Sequence, residues 1–299
     1  MHLPGPLNVP ASLASLGIWG DDGIDRWDGS TLVRTVRGPA SPLPYRLRSV
    51  GALASPVVEV EVSDTASLPR AVAAAAALFI SDGVALARLL RVDPLVAEQE
   101  ARHPGLRPTL QPDLLTALVR SISAQQVNLR WAATTRRRLA EAFGTRHDIA
   151  GTEVYSLDPD RLAAADPAAI RALQFTTRKA EYIVVAAQAV ASGRLRLDEL
   201  STLPDTEVVA RLVALRGLGV WSAEWLLART LGRPCVVAGD LGVRKAVGLV
   251  YGIGALPAER LVRSTTAHWG AAAAMAQTLI LHALLDRDRQ RRPAVVAAR

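Results

Sequence analysis

Two glycines, Gly217 and Gly219, are one residue apart between two stretches with helical periodicity. Glycine accepts positive φ angles, so a tight turn at this point can aim successive backbone N–H groups outward. A helix would begin directly after the turn, and the positive end of its dipole adds to the attraction for an anion. The pattern predicts a turn that can hold a phosphate without a charged side chain; a plain helix–helix turn is the alternative.

Asp240 follows this turn at the start of the next helical pattern. An aspartate before a helix often caps that helix, because its side chain accepts hydrogen bonds from first-turn N–H groups. From its position alone, Asp240 is therefore interpreted as a helix cap.

Two tryptophans, Trp221 and Trp225, are spaced i, i+4 after the glycine turn and so share one helix face. The faces of indole rings attract flat cations by stacking and by cation–π attraction, worth about 1–2 kcal/mol each when desolvated. Large aromatic side chains are usually buried, so an ordinary core position is the alternative for both. Trp19 and Trp269 are weaker candidates for binding a flat cation, and for Trp19 a packing role is favoured.

The composition of the chain narrows its chemistry. The formal net charge of the 299 residues is +7, which favours a polyanionic partner because neutralised phosphates release condensed counterions. Cys235 is the only cysteine, so an intramolecular disulfide and a cysteine-ligated cluster are excluded. The histidines form no close-spaced ligand pair, and no metal site is predicted.

The N-terminus and the hydropathy of the chain bear on its location. No apolar run is long enough and free enough of charges to span a membrane. The first residues lack the basic start and apolar stretch of a secretory signal. We therefore expect a cytoplasmic protein with no membrane association.

The N-terminal part of the chain has the period-two pattern of β-strands. Apolar and polar side chains alternate between Gly- and Pro-rich breaks in three segments, 31–37, 45–50 and 56–62. These segments predict a small antiparallel sheet. The alanine-rich segment 68–90 predicts a helix that covers one face of this sheet.

From residue 111 onward the sequence has helical periodicity. Asp158-Pro159 and Asp166-Pro167 are paired helix starts, because aspartate caps a helix and proline is tolerated in its first turn. No fixed-period repeat occurs. The larger part of the chain is therefore predicted to be α-helical.

The order of these motifs resembles a known family. Gly-Leu-Gly at 217–219, followed by Asp-Leu-Gly-Val-Arg-Lys at 240–245, is similar to the helix–hairpin–helix/Gly-Pro-Asp superfamily of DNA glycosylases. More closely, the chain resembles the bacterial 3-methyladenine DNA glycosylase II family, whose Gln-Gln or Gln-Leu loop corresponds to Gln125-Gln126. Two further segments match, 162–166 and 178–182. The resemblance covers 86–284 clearly and the N-terminal sheet only loosely.

The resemblance implies a mostly α-helical fold, the helix–hairpin–helix DNA glycosylase fold, with a small N-terminal α+β domain. We place that domain at 1–100 and a two-lobed helical domain at 101–299, with the helix–hairpin–helix at about 207–231. A DNA-facing cleft is expected between the two lobes. The hairpin would lie at the mouth of this cleft and Asp240 inside it.

The same resemblance assigns the residues of the base pocket. It implies that Asp240 is the catalytic carboxylate and that aromatic rings at Trp221, Trp225 and Trp269 contact the substrate base. Gln126 matches the side chain that fills the gap left when a base is flipped out of the duplex. A loop residue bonded to the backbone is the alternative for Gln126.

The expected partner is double-stranded DNA that contains damaged bases, bound by a monomer. Backbone groups of Gly217 and Gly219, together with Arg216 and Arg244, are expected to contact phosphates. The resemblance implies no cofactor, except that the hairpin turn of this superfamily often binds Na⁺ or K⁺ through backbone carbonyls.

One substitution bears on the type of reaction. Members of the superfamily that also nick the strand carry a lysine just after the hairpin, which forms a Schiff base with the sugar; Trp221 occupies that position here. The reaction is therefore expected to be hydrolytic removal of alkylated purines of the 3-methyladenine and 7-methylguanine type, leaving an abasic site in base excision repair. The alternatives are a glycosylase for oxidised or deaminated bases, a non-catalytic DNA-binding module and a helical interaction scaffold.

Overall fold

The computed structural model describes residues 1–38 and 41–290. Near the N-terminus an antiparallel sheet has the strand order β1-β2-β3-β4. Its strands are β1 (Arg26–Trp27), β2 (Thr31–Val36), β3 (Leu43–Ser49) and β4 (Val58–Val62). Leu32 pairs with Leu47 across β2 and β3, and both side chains are fully buried. They pack with helices α1 (Val9–Gly17) and α2 (Leu68–Ala76) in an N-terminal core, which confirms the predicted α+β region.

The rest of the described chain is mainly helical. The helices after α2 are α3 (Gly83–Val92), α4 (Pro94–Arg102), α5 (Leu114–Ala124), α6 (Leu129–Phe143), α7 (Pro159–Ala163), α8 (Pro167–Ala172), α9 (Thr177–Ala191), α10 (Leu197–Thr202), α11 (Asp205–Val213), α12 (Val220–Arg229), α13 (Leu241–Tyr251), α14 (Glu259–Thr266) and α15 (Ala273–Gln290). Asp158 and Asp166 cap α7 and α8 as predicted, because each side chain accepts a backbone N–H bond from the first turn. In the described ranges, no helix has the length and apolar character needed to cross a bilayer.

A β-hairpin interrupts the region that was predicted to be helical throughout. Its strands are β5 (Gly144–Ile149) and β6 (Thr152–Leu157), joined by Ala150 and Gly151 at positive φ. Ile149 and Val154 pack against Val33 of the N-terminal sheet. The prediction of an all-helical region was wrong here, because this strand pair is stabilised by contacts with a part of the chain that is distant in sequence.

The helices form two lobes with separate cores. The first lobe contains α5 to α12, and its buried side chains include Leu118, Ile183 and Leu226. The second lobe combines α3 and α4 with α13 and α15, through buried side chains such as Leu89 and Ile280. Two distant stretches of the chain therefore build the second core.

Two predicted boundaries in the N-terminal part of the chain were wrong. The segment 68–90 is not one helix over the sheet, because α2 ends at Ala76 and α3 begins at Gly83. The predicted domain boundary at residue 100 is also wrong, because α3 and α4 pack in the core of the second lobe. Residues 291–299, the end of the predicted helical domain, lie outside the described residues.

A buried ionic cluster joins the N-terminal sheet to the first lobe. Asp25 pairs with Arg34 of β2 and with Arg120 of α5, both at 2.6 Å. Asp22 pairs with Arg120 at 3.0 Å and with Arg136 of α6 at 2.9 Å. Burial alone would raise the pKa of Asp25, but Arg34 and Arg120 hold that pKa below its usual range. Both carboxylates are therefore neutralised by guanidinium groups.

Candidate active site between the two helical lobes

The glycine turn lies between α11 and α12, as predicted. Gly217 has φ +96°, and a Cβ atom there would come within 2.2 Å of the Tyr182 ring. Both the backbone conformation and the close approach of Tyr182 therefore require glycine at this position. Gly219 differs, because its φ is −113° and the space around it is open. The argument from positive φ applies to Gly217 alone.

The first turn of α12 offers free backbone donors. The N–H groups of Val220, Trp221 and Ser222 form no hydrogen bond within the described chain, and the first N–H that does is that of Ala223, which donates to the Gly219 carbonyl at 3.1 Å. Such uncovered groups at a helix N-terminus attract an anion. Because Gly219 has no side chain and is exposed, this helix end is open to an anion such as phosphate.

Two side chains that the sequence analysis did not single out hold the turn in place. The ring of Tyr182 on α9 lies against Gly217, and Gln125 Nε2 donates to the Gly217 carbonyl at 2.9 Å. Arg216 lies over the Tyr182 ring at 5.7 Å and pairs with Glu181 at 2.9 Å while staying largely exposed. Tyr182 and Gln125 both lie within segments that match the family, and this match was the sequence signal that could have identified them. Gln125 thereby links the turn to the loop that contains Gln126.

Asp240 is held through both carboxylate oxygens. Oδ1 accepts the backbone N–H of Val243 at 3.0 Å and so caps α13, while Oδ2 accepts the indole N–H of Trp221 at 3.0 Å. The two interpretations of Asp240 are therefore compatible, because one oxygen caps the helix and the other faces Trp221. Since Trp221 belongs to the first lobe and Asp240 to the second, this bond crosses the junction between the lobes.

The Asp240 carboxylate lies next to the Trp221 ring and to Gly242. Trp221 and Trp225 are both partly exposed, and Trp225 packs at the edge of the first-lobe core. A Cβ at Gly242 would lie 3.0 Å from Asp240 Oδ1 and 3.5 Å from Leu281 of α15. Glycine at 242 therefore leaves room for the carboxylate between α13 and α15.

The prediction that Trp269 contacts the substrate was wrong. Its side chain is 2% exposed and packs in the core of the second lobe. Its indole N–H donates to the hydroxyl of Tyr251 at 2.8 Å, and that hydroxyl in turn bonds Asp93. The ring is thus already in use within the core. Trp19 departs from expectation in the other direction, because it is 42% exposed instead of packed.

Gln126 and Arg244 lie in different environments. Gln126 is exposed in the loop between α5 and α6 with φ +51°, and its side chain forms no hydrogen bond within the described residues. This argues against the alternative of a backbone-bonded loop residue, and its insertion into DNA stays a prediction. Arg244 is half-buried, and its Nε donates to the Pro257 carbonyl at 2.8 Å. Its contact with phosphate also stays a prediction.

Comparison with known proteins agrees with this architecture. Residues 119–271, about half of the chain, match the HhH-GPD superfamily of base excision DNA repair proteins. The structure of a 3-methyladenine DNA glycosylase from Archaeoglobus fulgidus superposes with a TM-score of 0.83 at 20% identity, over 99% of each chain. The predicted helix–hairpin–helix glycosylase fold with its N-terminal sheet is therefore confirmed.

Sequence comparison supports the resemblance at the level of the family. The chain is 31% identical over 168 residues to the putative DNA-3-methyladenine glycosylase YfjP of Bacillus subtilis, covering 56% of this chain and 58% of that protein. It is 34% identical over 131 residues to DNA-3-methyladenine glycosylase 2 of Escherichia coli, covering 43% and 45%. The chain thus spans about half the length of the curated relatives it matches. It belongs to the HhH-GPD superfamily of base excision DNA repair proteins.

Proposed function

We propose that this protein is a DNA glycosylase that removes alkylated purines, such as 3-methyladenine and 7-methylguanine, from double-stranded DNA. The observation that carries the proposal is the Asp240 carboxylate, which accepts the indole N–H of Trp221 at 3.0 Å. Trp221 belongs to α12, the helix that follows the glycine turn. The names of its relatives, DNA-3-methyladenine glycosylases, support the same substrate class.

The chemistry follows from the charge of the substrate. An alkylated purine carries formal positive charge, so it leaves with the electron pair of the N-glycosidic bond and becomes neutral. Positive charge then develops on the deoxyribose, and a carboxylate facing C1′ stabilises it. Water adds to C1′ and loses a proton, which gives the free base and an abasic site. Asp240 is suited to this role because its two hydrogen bonds fix its orientation before the reaction.

The DNA-binding part of the proposal uses the turn and the rings beside it. The uncovered N–H groups of α12 and the exposed Arg216 would bind phosphates of the damaged strand. Trp221 and Trp225 would stack on the cationic base. Gln126 would enter the gap in the duplex. One chain contains all of these elements, so we propose that it acts as a monomer.

The proposed reaction stops at the abasic site. Strand nicking by this superfamily needs a lysine amine at the position of Trp221. Both lysines of the chain are elsewhere. Lys179 Nζ donates to the Ser123 carbonyl at 2.8 Å, and Lys245 is exposed on α13. Neither therefore takes the place of the missing amine in this proposal.

We propose that the turn can also bind Na⁺ or K⁺ through backbone carbonyls. The Leu215 carbonyl accepts one hydrogen bond, from the N–H of Leu218 at 3.1 Å, so one of its lone pairs is left over. Monovalent cations prefer such neutral oxygen donors. We propose that an ion bound there would stiffen the turn and would take no part in bond cleavage.

The proposal is tested by measuring base release from methylated DNA with the wild type and the Asp240→Asn variant. We expect the variant to lose base release at least about a hundredfold, because asparagine carries no charge to stabilise the sugar cation. Its binding to DNA that contains a stable abasic-site analogue should stay within a few fold. The DNA strand should remain intact until alkali is added.

Three outcomes would contradict the proposal. Unchanged release by Asp240→Asn would exclude Asp240 as the catalytic carboxylate. Release of hypoxanthine or 8-oxoguanine without methylated purines would favour the alternative substrate classes. Salt-dependent DNA binding without any base release would favour a non-catalytic module.

A further inference from the structure

Arg229 ends α12 and follows Trp221 and Trp225 at successive spacings of four residues. The three side chains therefore lie along roughly one side of the helix. The Arg229 carbonyl accepts the backbone N–H of Gln111 at 2.8 Å, which fixes this end of the helix. Arg229 thus lies one helical turn beyond Trp225, on the helix whose Trp221 side chain bonds Asp240.

The Arg229 side chain differs from the buried arginines elsewhere in the described chain. Arg34, Arg107 and Arg120 each pair with a carboxylate at 3.0 Å or less. Arg229 is only partly exposed, yet its guanidinium forms no salt bridge or hydrogen bond with any described residue. Burial lowers the pKa of Arg229, and the charge of Asp240 opposes this change. Its donors are therefore not used by any described group, and its partial exposure leaves them available to a ligand.

We propose that Arg229 is a specificity-determining residue, which donates hydrogen bonds to a carbonyl oxygen on the edge of the flipped purine. This inference rests on the proposed glycosylase function. A guanidinium has only donors, and its fork matches the O6 and N7 acceptors of guanine. In 7-methylguanine O6 remains available, and in hypoxanthine both acceptors remain. 3-Methyladenine carries an amino group at that edge, which a guanidinium cannot accept from.

The positive charge of Arg229 also favours carbonyl-bearing purines. A cationic base is attracted by Asp240 and by the tryptophan rings, but it is repelled by Arg229. A base that accepts a hydrogen bond from Arg229 offsets this repulsion, and a base with an amino edge does not. We therefore expect Arg229 to favour carbonyl-bearing purines over 3-methyladenine.

The test uses methylated DNA that contains both 7-methylguanine and 3-methyladenine, with both bases separated and counted from one reaction. Because the same enzyme molecules release both, the ratio does not depend on the folded fraction of a variant. We expect Arg229→Met to lower 7-methylguanine release about tenfold, since one base-specific arginine contact is lost. Release of 3-methyladenine should stay within twofold of the wild type or rise.

Two further variants sharpen the test. Arg229→Lys keeps the charge and loses the fork, so 7-methylguanine release should fall less than in Arg229→Met. Arg70→Met is the matched control, because Arg70 is exposed on α2, and both releases should equal those of the wild type. A hypoxanthine-containing duplex should follow 7-methylguanine in every variant.

An equal fall in the release of both bases would overturn the inference, because Arg229 would then act through the fold or through Asp240. An unchanged ratio with an active wild type would overturn it as well, while leaving the glycosylase proposal intact. If the wild type releases neither base in a manner that depends on Asp240, the proposed function itself fails.

Discussion

Two carboxylate sites join separate parts of this molecule, and they are built differently. At the junction of the sheet and the first lobe, Asp22 and Asp25 pair with arginines. At the junction of the two lobes, Asp240 accepts only neutral N–H donors among the described residues, from Trp221 and Val243. At the first site, arginines of the protein itself neutralise the negative charges. At the second site, no described cationic side chain forms a salt bridge with Asp240, as the proposed stabilisation of a sugar cation requires.

The largest expected effects come from replacing aspartate by asparagine at each of the two sites. One variant should lose stability and the other should lose base release. Asp25→Asn should lower the free energy of unfolding by about 3–5 kcal/mol, because it leaves buried guanidinium charge uncompensated. Base release per folded molecule should persist. Asp240→Asn should do the opposite and abolish release, with a change of about 1 kcal/mol or less in stability, since asparagine also caps helices. Urea unfolding and single-turnover release measure the two quantities.

An equal loss of stability in both variants would contradict the proposed difference between the two sites. Asp240 would then be another structural carboxylate. The proposed difference would also be contradicted if Asp25→Asn abolished base release in the folded state, because the ionic cluster would then contribute to the site directly.

The two glycines of the turn provide a matched pair with a smaller effect. Gly217→Ala should lower the free energy of unfolding by about 1–3 kcal/mol, because φ is +96° and the new methyl group would overlap the Tyr182 ring. Gly219→Ala should change it by less than about 0.5 kcal/mol. Thermal unfolding checks both values, and DNA-binding titrations should show weaker binding for Gly217→Ala. Equal effects would mean that Tyr182 does not constrain the turn.

The bond between Trp221 and Asp240 can be tested without removing an aromatic ring. Trp221→Phe removes the N–H that holds Oδ2, and we expect base release to fall about tenfold, since a hydrogen bond to a charged group contributes about 1.5–3 kcal/mol. Trp225→Phe is the comparison, because the Trp225 indole forms no hydrogen bond with the described residues. If Trp225→Phe lowers base release as much, the smaller ring explains the effect and the lost hydrogen bond does not.

Acid should weaken the contribution of the ionic cluster gradually. The pKa of Asp25 is lowered in the folded state from its ordinary value of 3.8, so its contribution is present above that value and is lost as pH falls toward the folded pKa. The stability difference between the wild type and Asp25→Asn should therefore be constant above about pH 5 and shrink below pH 4, by at most about 1.4 kcal/mol per pH unit. Urea unfolding at stepped pH checks this. A difference that grows in acid would contradict the sign.

Much of the candidate site was predictable because its signals are local. Gly217, Asp240 and the spacing of Trp221 and Trp225 act within a few residues of their own positions. Turn conformation, helix capping and helix-face geometry are short-range properties. The same holds for the alternating strands near the N-terminus, since alternation is a property of each strand.

Contacts between distant parts of the chain were not predictable in this way. Period and composition show which faces are apolar, but not which face covers them. The core position of Trp269, the hairpin at 144–157 and the division of the second lobe between two stretches of chain were therefore decided by packing. The local pattern placed Asp240 at a helix start, whereas only the meeting of the lobes brought Trp221 to its second oxygen and left Arg229 without a partner among the described residues.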